Sequence, residues 1–299
     1  MGGHGWGRVN DDELRQAVAT ALDVGVRLFD TSDIYGLGAS ETLLGEALRG
    51  KRDQAIVATK FGVRHENGRT FHDNSPAWIT KAAEDSLRRL GIECIDLYQM
   101  HYWDGVTPPG LIMATLESLR EAGKIRAYGI TNYDPRTQEL SGSGGHLASY
   151  SYQYSLVHRE YEDLITAVQQ QQPQLLFLSW GSLGQGVLSG DYHSLAQLET
   201  SDRRRRDVYE NFHGEKFAAI QTVLKELKEI AVEVGIPRLP QFALRWIVDK
   251  IPGAVPLVGI KRPEQIIDAS RILHFKLDPA TCAQIDRITT RFKPAVAPP

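Results

Sequence analysis

Four side chains able to move a proton or stabilise a charge stand just past apolar runs. "VRLFD" ends in Asp30, and Tyr35 follows five residues later; "AIVATK" ends in Lys60; "IDLYQMH" ends in His101. Taken singly, each has an ordinary structural explanation: a turn aspartate, a half-buried aromatic, a rim charge, a hydrogen-bonded core histidine. Together they suit one reaction. Reducing a carbonyl by hydride creates an alkoxide that needs a proton, and a tyrosine at its usual pKa of about 10 is a poor donor-acceptor near neutrality. A Lys60 ammonium beside Tyr35 favours the phenolate and lowers that pKa, while Asp30 holds the lysine charged and oriented. His101 can hydrogen-bond the substrate oxygen and polarise it as charge develops.

Such residues need a scaffold that gathers strand ends. Apolar runs of five to seven residues recur at 26–30, 55–60, 95–100, 126–131, 149–154, 174–180 and 254–259, each followed by a turn and then by a segment of helical period. That is the sequence form of repeated βα units around a parallel sheet. The helices carry their own punctuation. Asn10 with Glu13 three residues on resembles a capping box, and Gly25 stands at the stop; Ser75–Pro76 reads as an N-cap and first helical residue, with Leu87 and Leu90 facing inward and Gly91 ending the segment. Further helices fit 111–122, 215–234, 240–250 and 278–291. No composition shift divides the chain, so residues 1–299 are expected to form one (β/α)8 TIM barrel domain of the α/β class. No glycine fingerprint opens the first βα turn, which argues against a doubly wound sheet. In a barrel the active site lies at the C-terminal strand ends, where these four residues sit.

Composition narrows the function classes. The chain has 299 residues, 42% hydrophobic and 24% charged, with a net charge of −3. No basic stripe interleaved with aromatics suggests a nucleic-acid surface, and Arg203 to Arg206 reads as a solvated loop. Cys94 and Cys282 belong to no CxxC or Cys/His cluster, so neither a structural metal nor a disulfide framework is expected, and a reducing cytoplasm fits. No apolar stretch approaches the roughly 18 residues of a membrane span. "GLGASE", 36–41, lacks the third glycine of a dinucleotide fingerprint and reads as a turn leading to a helix; "SGSGGH", 141–146, lacks the Gly-Lys-Ser/Thr of a P-loop and reads as a flexible connection.

Seven segments in order resemble the aldo-keto reductase superfamily over nearly the whole chain. "FDTSDIYG", "ATKFG" and "DLYQMH" are similar to its aspartate-tyrosine, lysine and histidine segments, which implies catalytic roles for Asp30, Tyr35, Lys60 and His101. "GITN" and "YQYSLVHR" imply that Thr131, Asn132 and Gln153 hold a nicotinamide carboxamide. "WGSLGQG" implies stacking on Trp180, with Gly181, Ser182, Leu183, Gln185 and Gly186 belting the pyrophosphate. "VGIKRPEQIIDA" looks like the adenosine-phosphate segment, which implies contacts from Gly259, Lys261, Arg262, Gln265 and Asp268. The cofactor implied is NADPH (NADP+), since Lys261 and Arg262 would bring two cations and free backbone N–H groups to one phosphate.

This sequence departs from the family pattern at three places. Ala269 stands where an asparagine commonly closes the adenine segment, and Gly181–Ser182 replace a Ser-Pro. The family's barrel begins with a floor hairpin and a strand ahead of the first helix, whereas "MGGHGWGRVN" reads as the inside of the first βα loop. An open parallel edge exposes unpaired backbone, so the expectation is about ten or more residues upstream of Met1, or another segment in the slot, with a true seven-stranded open barrel as the third choice.

The favoured activity is NADPH-dependent reduction of an aldehyde or ketone. Two alternatives stand beside it: Lys60 as a Schiff-base nucleophile, as in barrel aldolases, and a cofactor-binding regulatory subunit resembling channel-associated β-subunits. Trp6, Tyr102 and Trp103 are candidates for the substrate mouth. The expected partner is a small carbonyl compound, with no nucleic acid or membrane. A small aldehyde, a sugar ketone and a natural-product intermediate all fit, and the oligomeric state is open.

Overall fold

The structure, a computed structural model, describes residues 5–7, 9–137 and 146–294. Most of "SGSGGH" and part of "MGGHGWGRVN" lie outside them. Nine strands are described: β1 (Leu28–Asp30), β2 (Ile56–Phe61), β3 (Val63–Glu66), β4 (Arg69–His72), β5 (Ile95–Met100), β6 (Ile125–Thr131), β7 (Leu147–Gln153), β8 (Leu176–Trp180) and β9 (Val255–Pro256). Seven form one parallel sheet in the order β1-β2-β5-β6-β7-β8-β9. β3 and β4 form a separate antiparallel hairpin.

The helices are α1 (Asp11–Asp23), α2 (Ala39–Ala47), α3 (Pro76–Leu90), α4 (Pro109–Glu121), α5 (Glu162–Gln171), α6 (Gly214–Glu233), α7 (Leu239–Lys250), α8 (Pro263–Ser270) and α9 (Pro279–Thr289). The expected caps are present. Asn10 Oδ1 accepts from the Asp12 and Glu13 N–H groups, Ser75 Oγ accepts from Trp78 N, and Gly91 ends α3 in the left-handed region.

Period-two alternation divides the strand residues between two apolar layers. Phe29, Val57, Tyr98, Tyr128, Tyr150 and Phe177 face outward into the main core under the helices. Ala58, Leu97 and Leu178 form a second, inner cluster joined by Leu28, Ala127, Ala148 and Val255, one residue from each of the seven strands. Leu178 on β8 can meet Leu97 on β5 only across the interior, so the sheet curls on itself as a (β/α)8-type barrel does.

Among the described residues no strand pairs with the outer edge of β1 or of β9. On the outside, α1 packs against both α2 and α8, so the helical ring continues past that point.

Three sequence expectations change. Residues 62–75, where the sequence pattern places neither strand nor helix, contain the β3–β4 hairpin, turned by Asn67 (φ 51°) and Gly68 (φ 74°). The last barrel strand shrinks to Val255–Pro256, because Pro256 brings no N–H to the ladder. The arginine run is not uniformly solvated: Arg204 is buried and holds Asp202 through Nε (2.9 Å) and Nη2 (2.7 Å).

Candidate active site

The inner apolar layer ends one pleat above Leu28, Ala58 and Leu97, where the same inward face presents Asp30, Lys60 and Gln99. Lys60 Nζ donates to Asp30 Oδ2 at 2.5 Å and to the Thr31 carbonyl at 2.9 Å, and Gln99 Nε2 donates to Asp30 Oδ1 at 3.0 Å. Gln99 has room because its neighbour on β6 is Gly129. A Cβ there would lie 2.2 Å from Ser149 Oγ and 3.1 Å from Gln99 Cγ.

The ammonium lies 5.4 Å from the centroid of the Tyr35 ring. Burial opposes the charge on Lys60, but Asp30 and the Tyr35 phenol more than restore it, leaving the ammonium above its usual pKa. Tyr35 differs from the expectation. Burial is the largest influence on its phenol and raises the pKa; the Lys60 charge pulls it back only in part. The phenol is therefore held protonated at neutral pH.

His101 follows β5, and its N–H donates to the Phe61 carbonyl at 2.9 Å. Its ring meets that of Tyr35 edge-on, centroids 5.9 Å apart, and stacks on Tyr102 at 5.0 Å. Tyr102 stacks in turn on His72 of the hairpin at 5.1 Å. Burial, then the Lys60 charge and His72, push the His101 imidazole down to about 3, so it is neutral in ordinary buffers. Asp30, Tyr35, Lys60 and His101, more than 70 residues apart at the extremes of the sequence, are thus brought to one place.

The segments expected to hold a nicotinamide lie along the next three strand ends. Thr131 ends β6 with Asn132 just past it, Gln153 ends β7 and Trp180 ends β8. Trp180 Nε1 donates to Asn132 Oδ1 at 3.2 Å, which fixes that amide and leaves Asn132 Nδ2 and Thr131 Oγ1 buried without a hydrogen-bond partner among the described residues. Unpaired buried polar groups are costly, and these two suit a carboxamide, which both accepts and donates. Gly181 (φ 64°) keeps the adjacent space open, since a Cβ would press on Gln153 Cγ at 3.1 Å.

Past it, Gln185 and Gly186 also take positive φ, and Asn211 Nδ2 and Arg204 Nη1 hold Gln185 by its side chain (2.7 Å) and carbonyl (3.3 Å). Leu183 is part-buried against the main core. Ser182 turns its hydroxyl inward to Ser179, 2.7 Å from the carbonyl and 2.9 Å from Oγ, so only its backbone faces the belt.

The adenosine segment meets expectation unevenly. Lys261 sits at the start of α8 and donates through Nζ to the Trp6 carbonyl. Burial, then the Arg204 charge, lower its pKa. The backbone N–H groups of Lys261 and Arg262 are not free: Gln265 Oε1 accepts from them at 2.8 and 3.1 Å. Asp268 is engaged by Arg238 and by Gln241 (2.7 Å). Gly259 and Arg262 are exposed.

At the mouth, Tyr102 and Trp103 are half-exposed, and Trp103 Nε1 donates to the Thr107 carbonyl at 2.8 Å. Trp6 packs edge-on against Tyr209 at 5.3 Å. Burial raises the Tyr102 phenol, with Tyr35 and Tyr209 adding to it, which draws the 202–209 segment into the same neighbourhood.

Gln99, Ser32, Asp33, His72 and Tyr209 were not singled out from sequence. Gln99 carried a signal: it lies two residues before His101 and so shares its inward face. Among the described residues no cluster of His, Cys, Asp or Glu is arranged to hold a metal, and no helix is long and apolar enough to cross a membrane.

Comparison with known proteins bears on this geometry. The sequence model of the Aldo/keto reductase family matches residues 1–290. The chain is 32% identical over 281 residues to aldo-keto reductase YhdN of Bacillus subtilis (93% of this chain, 84% of that protein). It is also 32% identical over 292 residues to aldo-keto reductase yakc of Schizosaccharomyces pombe, whose name carries NADP(+) (95% and 85%). The solved glycerol dehydrogenase AKR11B4 from Gluconobacter oxydans superposes with a TM-score of 0.86 at 32% identity, covering 99% of this chain and 91% of that one. An aldo/keto reductase from Klebsiella pneumoniae in complex with NADP and acetate gives 0.74 at 25% identity, covering 98% and 92%.

Proposed function

The chain belongs to the aldo/keto reductase family of oxidoreductases, and we propose that it reduces an aldehyde or ketone to an alcohol with NADPH, Tyr35 giving the proton. The observation that carries this reading is the buried Asp30–Lys60 pair set against the Tyr35 ring, with a neutral His101 edge-on to the same ring. Thr131, Asn132 and Gln153 would hold the nicotinamide carboxamide, Trp180 its ring face, the 181–186 turn the pyrophosphate, and Lys261 with Arg262 the adenosine phosphate. When bound, the reduced cofactor supplies hydride to the carbonyl carbon.

Every other task falls to the chain. Tyr35, held protonated by burial, passes its phenolic proton to the carbonyl oxygen as negative charge develops there. Lys60 steadies the phenolate left behind, and Asp30, itself gripped by Gln99, keeps the ammonium in place. His101 hydrogen-bonds the same oxygen as a neutral imidazole and so orients the carbonyl. A Schiff-base role for Lys60 would need a neutral, accessible amine, whereas this one is buried, ion-paired and raised in pKa.

The yeast relative named for NADP(+) and the Klebsiella complex support the cofactor assignment, and the glycerol dehydrogenase supports small polyol-related carbonyls as first substrates. The test is NADPH oxidation across a panel of aldehydes, hydroxyketones and aromatic ketones that includes glyceraldehyde and dihydroxyacetone. Turnover with at least one of them is expected. Tight NADPH binding with none turned over would shift the reading to a cofactor-binding regulatory protein.

A further inference from the structure

Behind His101 lies a short polar chain that the proposed reaction does not use. Ser32 Oγ, fully buried, stands 3.0 Å from Asp33 Oδ1, 3.3 Å from His101 Nδ1 and 3.4 Å from the backbone nitrogen of Ile34. A hydroxyl has one hydrogen and two lone pairs. The Ile34 N–H, which also acts on the Asp33 carboxyl, faces one lone pair at 3.4 Å, leaving one hydrogen and one lone pair for the two side chains. Asp33 and His101 must therefore take opposite roles toward Ser32.

Two arrangements satisfy every atom. With Asp33 ionised, the carboxylate only accepts, so Ser32 donates to it. His101 Nδ1 then carries the imidazole proton and donates to Ser32, and Nε2 is bare. With Asp33 protonated, its O–H donates to Ser32, and Ser32 donates to a bare Nδ1. The imidazole proton then sits on Nε2. The ring holds one proton in both states, lost at one nitrogen and regained at the other through solvent exchange; the set as a whole gains only the proton bound by Asp33.

We propose that Asp33, acting through the Ser32 hydroxyl, sets which nitrogen of His101 carries its proton, and so whether His101 can donate a hydrogen bond to the substrate oxygen. Asp33 is thus a positioning residue, and the inference rests on the reading of His101 as the group that meets that oxygen.

The surroundings allow the switch near neutrality. Burial, then the Glu41 charge on α2, lift the Asp33 carboxyl to about 7, against Ser32, the Ile34 N–H and Arg89 on α3. Glu41 is itself held by Arg89 Nε (2.6 Å) and Thr59 Oγ1 (2.5 Å). Lys60 on β2, Tyr35 and Tyr98 on β5 also feel the Asp33 charge. Facing His101 are Lys60, His72 on β4, Tyr35 and Tyr102. Burial, then the Lys60 charge, keep the ring from taking a second proton.

Nitrogen-15 NMR of histidine-labelled, ligand-free protein reads the tautomer directly, with His101 assigned by difference from His101→Gln. From pH 5 to pH 9 the wild type is expected to pass from the Nε2–H to the Nδ1–H form with a midpoint of about 7. Asp33→Asn should hold one tautomer throughout, and His72→Asn should keep the step. Carbonyl reduction by the wild type should lose kcat, not KM, through the same range, a limb absent from Asp33→Asn. If Asp33→Asn does not fold, Ser32→Ala, which breaks the chain, carries the same comparison.

One tautomer at all pH in the wild type, or an unchanged step in Asp33→Asn, overturns the proposal. So does a switching tautomer without effect on kcat in a protein that reduces carbonyls. A switching tautomer in a protein that reduces none overturns the assigned reaction and leaves the relay standing.

Discussion

The Lys60 ammonium meets Asp30 Oδ2 at 2.5 Å, with only 5% and 13% of the two side chains exposed. A buried ion pair contributes little net stability relative to an apolar replacement, but removing one partner strands the other charge. The pair is best understood through its third neighbour: it puts a fixed positive charge 5.4 Å from the Tyr35 ring.

Lys60→Met should therefore fail in two separable ways. Asp30 is left buried without its cation while Gln99 still donates to it, which costs about 3–5 kcal/mol. The Tyr35 phenol also climbs further, because the Lys60 charge that lowers its pKa has gone. Adding Asp30→Asn should restore most of the urea-unfolding free energy and none of the kcat. Recovery of activity along with stability would show that Lys60 acts only as a structural partner.

Gly129→Ala tests the layer beneath. The new Cβ would collide with Ser149 Oγ at 2.2 Å and crowd Gln99, which steadies Asp30. Overpacking of this kind costs about 1–3 kcal/mol, and kcat should fall with it. Ser149 Oγ is buried with no hydrogen-bond partner among the described residues, so Ser149→Ala removes the main obstacle without breaking a described hydrogen bond. The double variant should recover much of the loss in thermal melts; a double variant no better than the single one would place the strain elsewhere.

Lys261→Ala/Arg262→Ala tests the adenosine phosphate. With both cations gone, the preference for NADPH over NADH should narrow and the salt dependence of NADPH binding should weaken. Lys261 also ties down the Trp6 carbonyl. A Trp6 fluorescence change without cofactor would report that tether separately. If the double variant discriminates between the cofactors as strongly as the parent, the phosphate is held by other groups.

How far the sequence discloses this molecule follows from what each feature depends on. Apolar runs mark all seven barrel strands because a strand buried on both faces must be apolar along its length. Caps at Asn10 and Ser75 are local chemistry and were legible for that reason. The β3–β4 hairpin was missed although Asn67–Gly68 is a strong turn signal, because its strands are polar and mostly exposed and show no apolar alternation. α5 also escaped the sequence reading.

At the site, the four groups to which the proposed reaction is assigned, Asp30, Tyr35, Lys60 and His101, stand out in sequence by their places at or after strand ends. Their environment does not, since it arises from contacts between distant elements. The net rise in the Tyr35 pKa, the loss of free N–H groups to Gln265 and the burial of Arg204 in an arginine run are of this kind. Ser32 and Asp33 lay inside the motif that was read, and only the position of His101 gives them a purpose.

Proton donation by Tyr35 is the step on which the proposed reaction depends. The most direct measurement is NADPH oxidation by the wild type and by Tyr35→Phe with the best carbonyl from the panel, alongside NADPH affinity from fluorescence titration. The account predicts that Tyr35→Phe binds NADPH within a few-fold of wild type while kcat falls ~10²- to 10⁴-fold, the usual worth of a positioned acid. Turnover by Tyr35→Phe within a few-fold of wild type, at equal NADPH affinity, would contradict it.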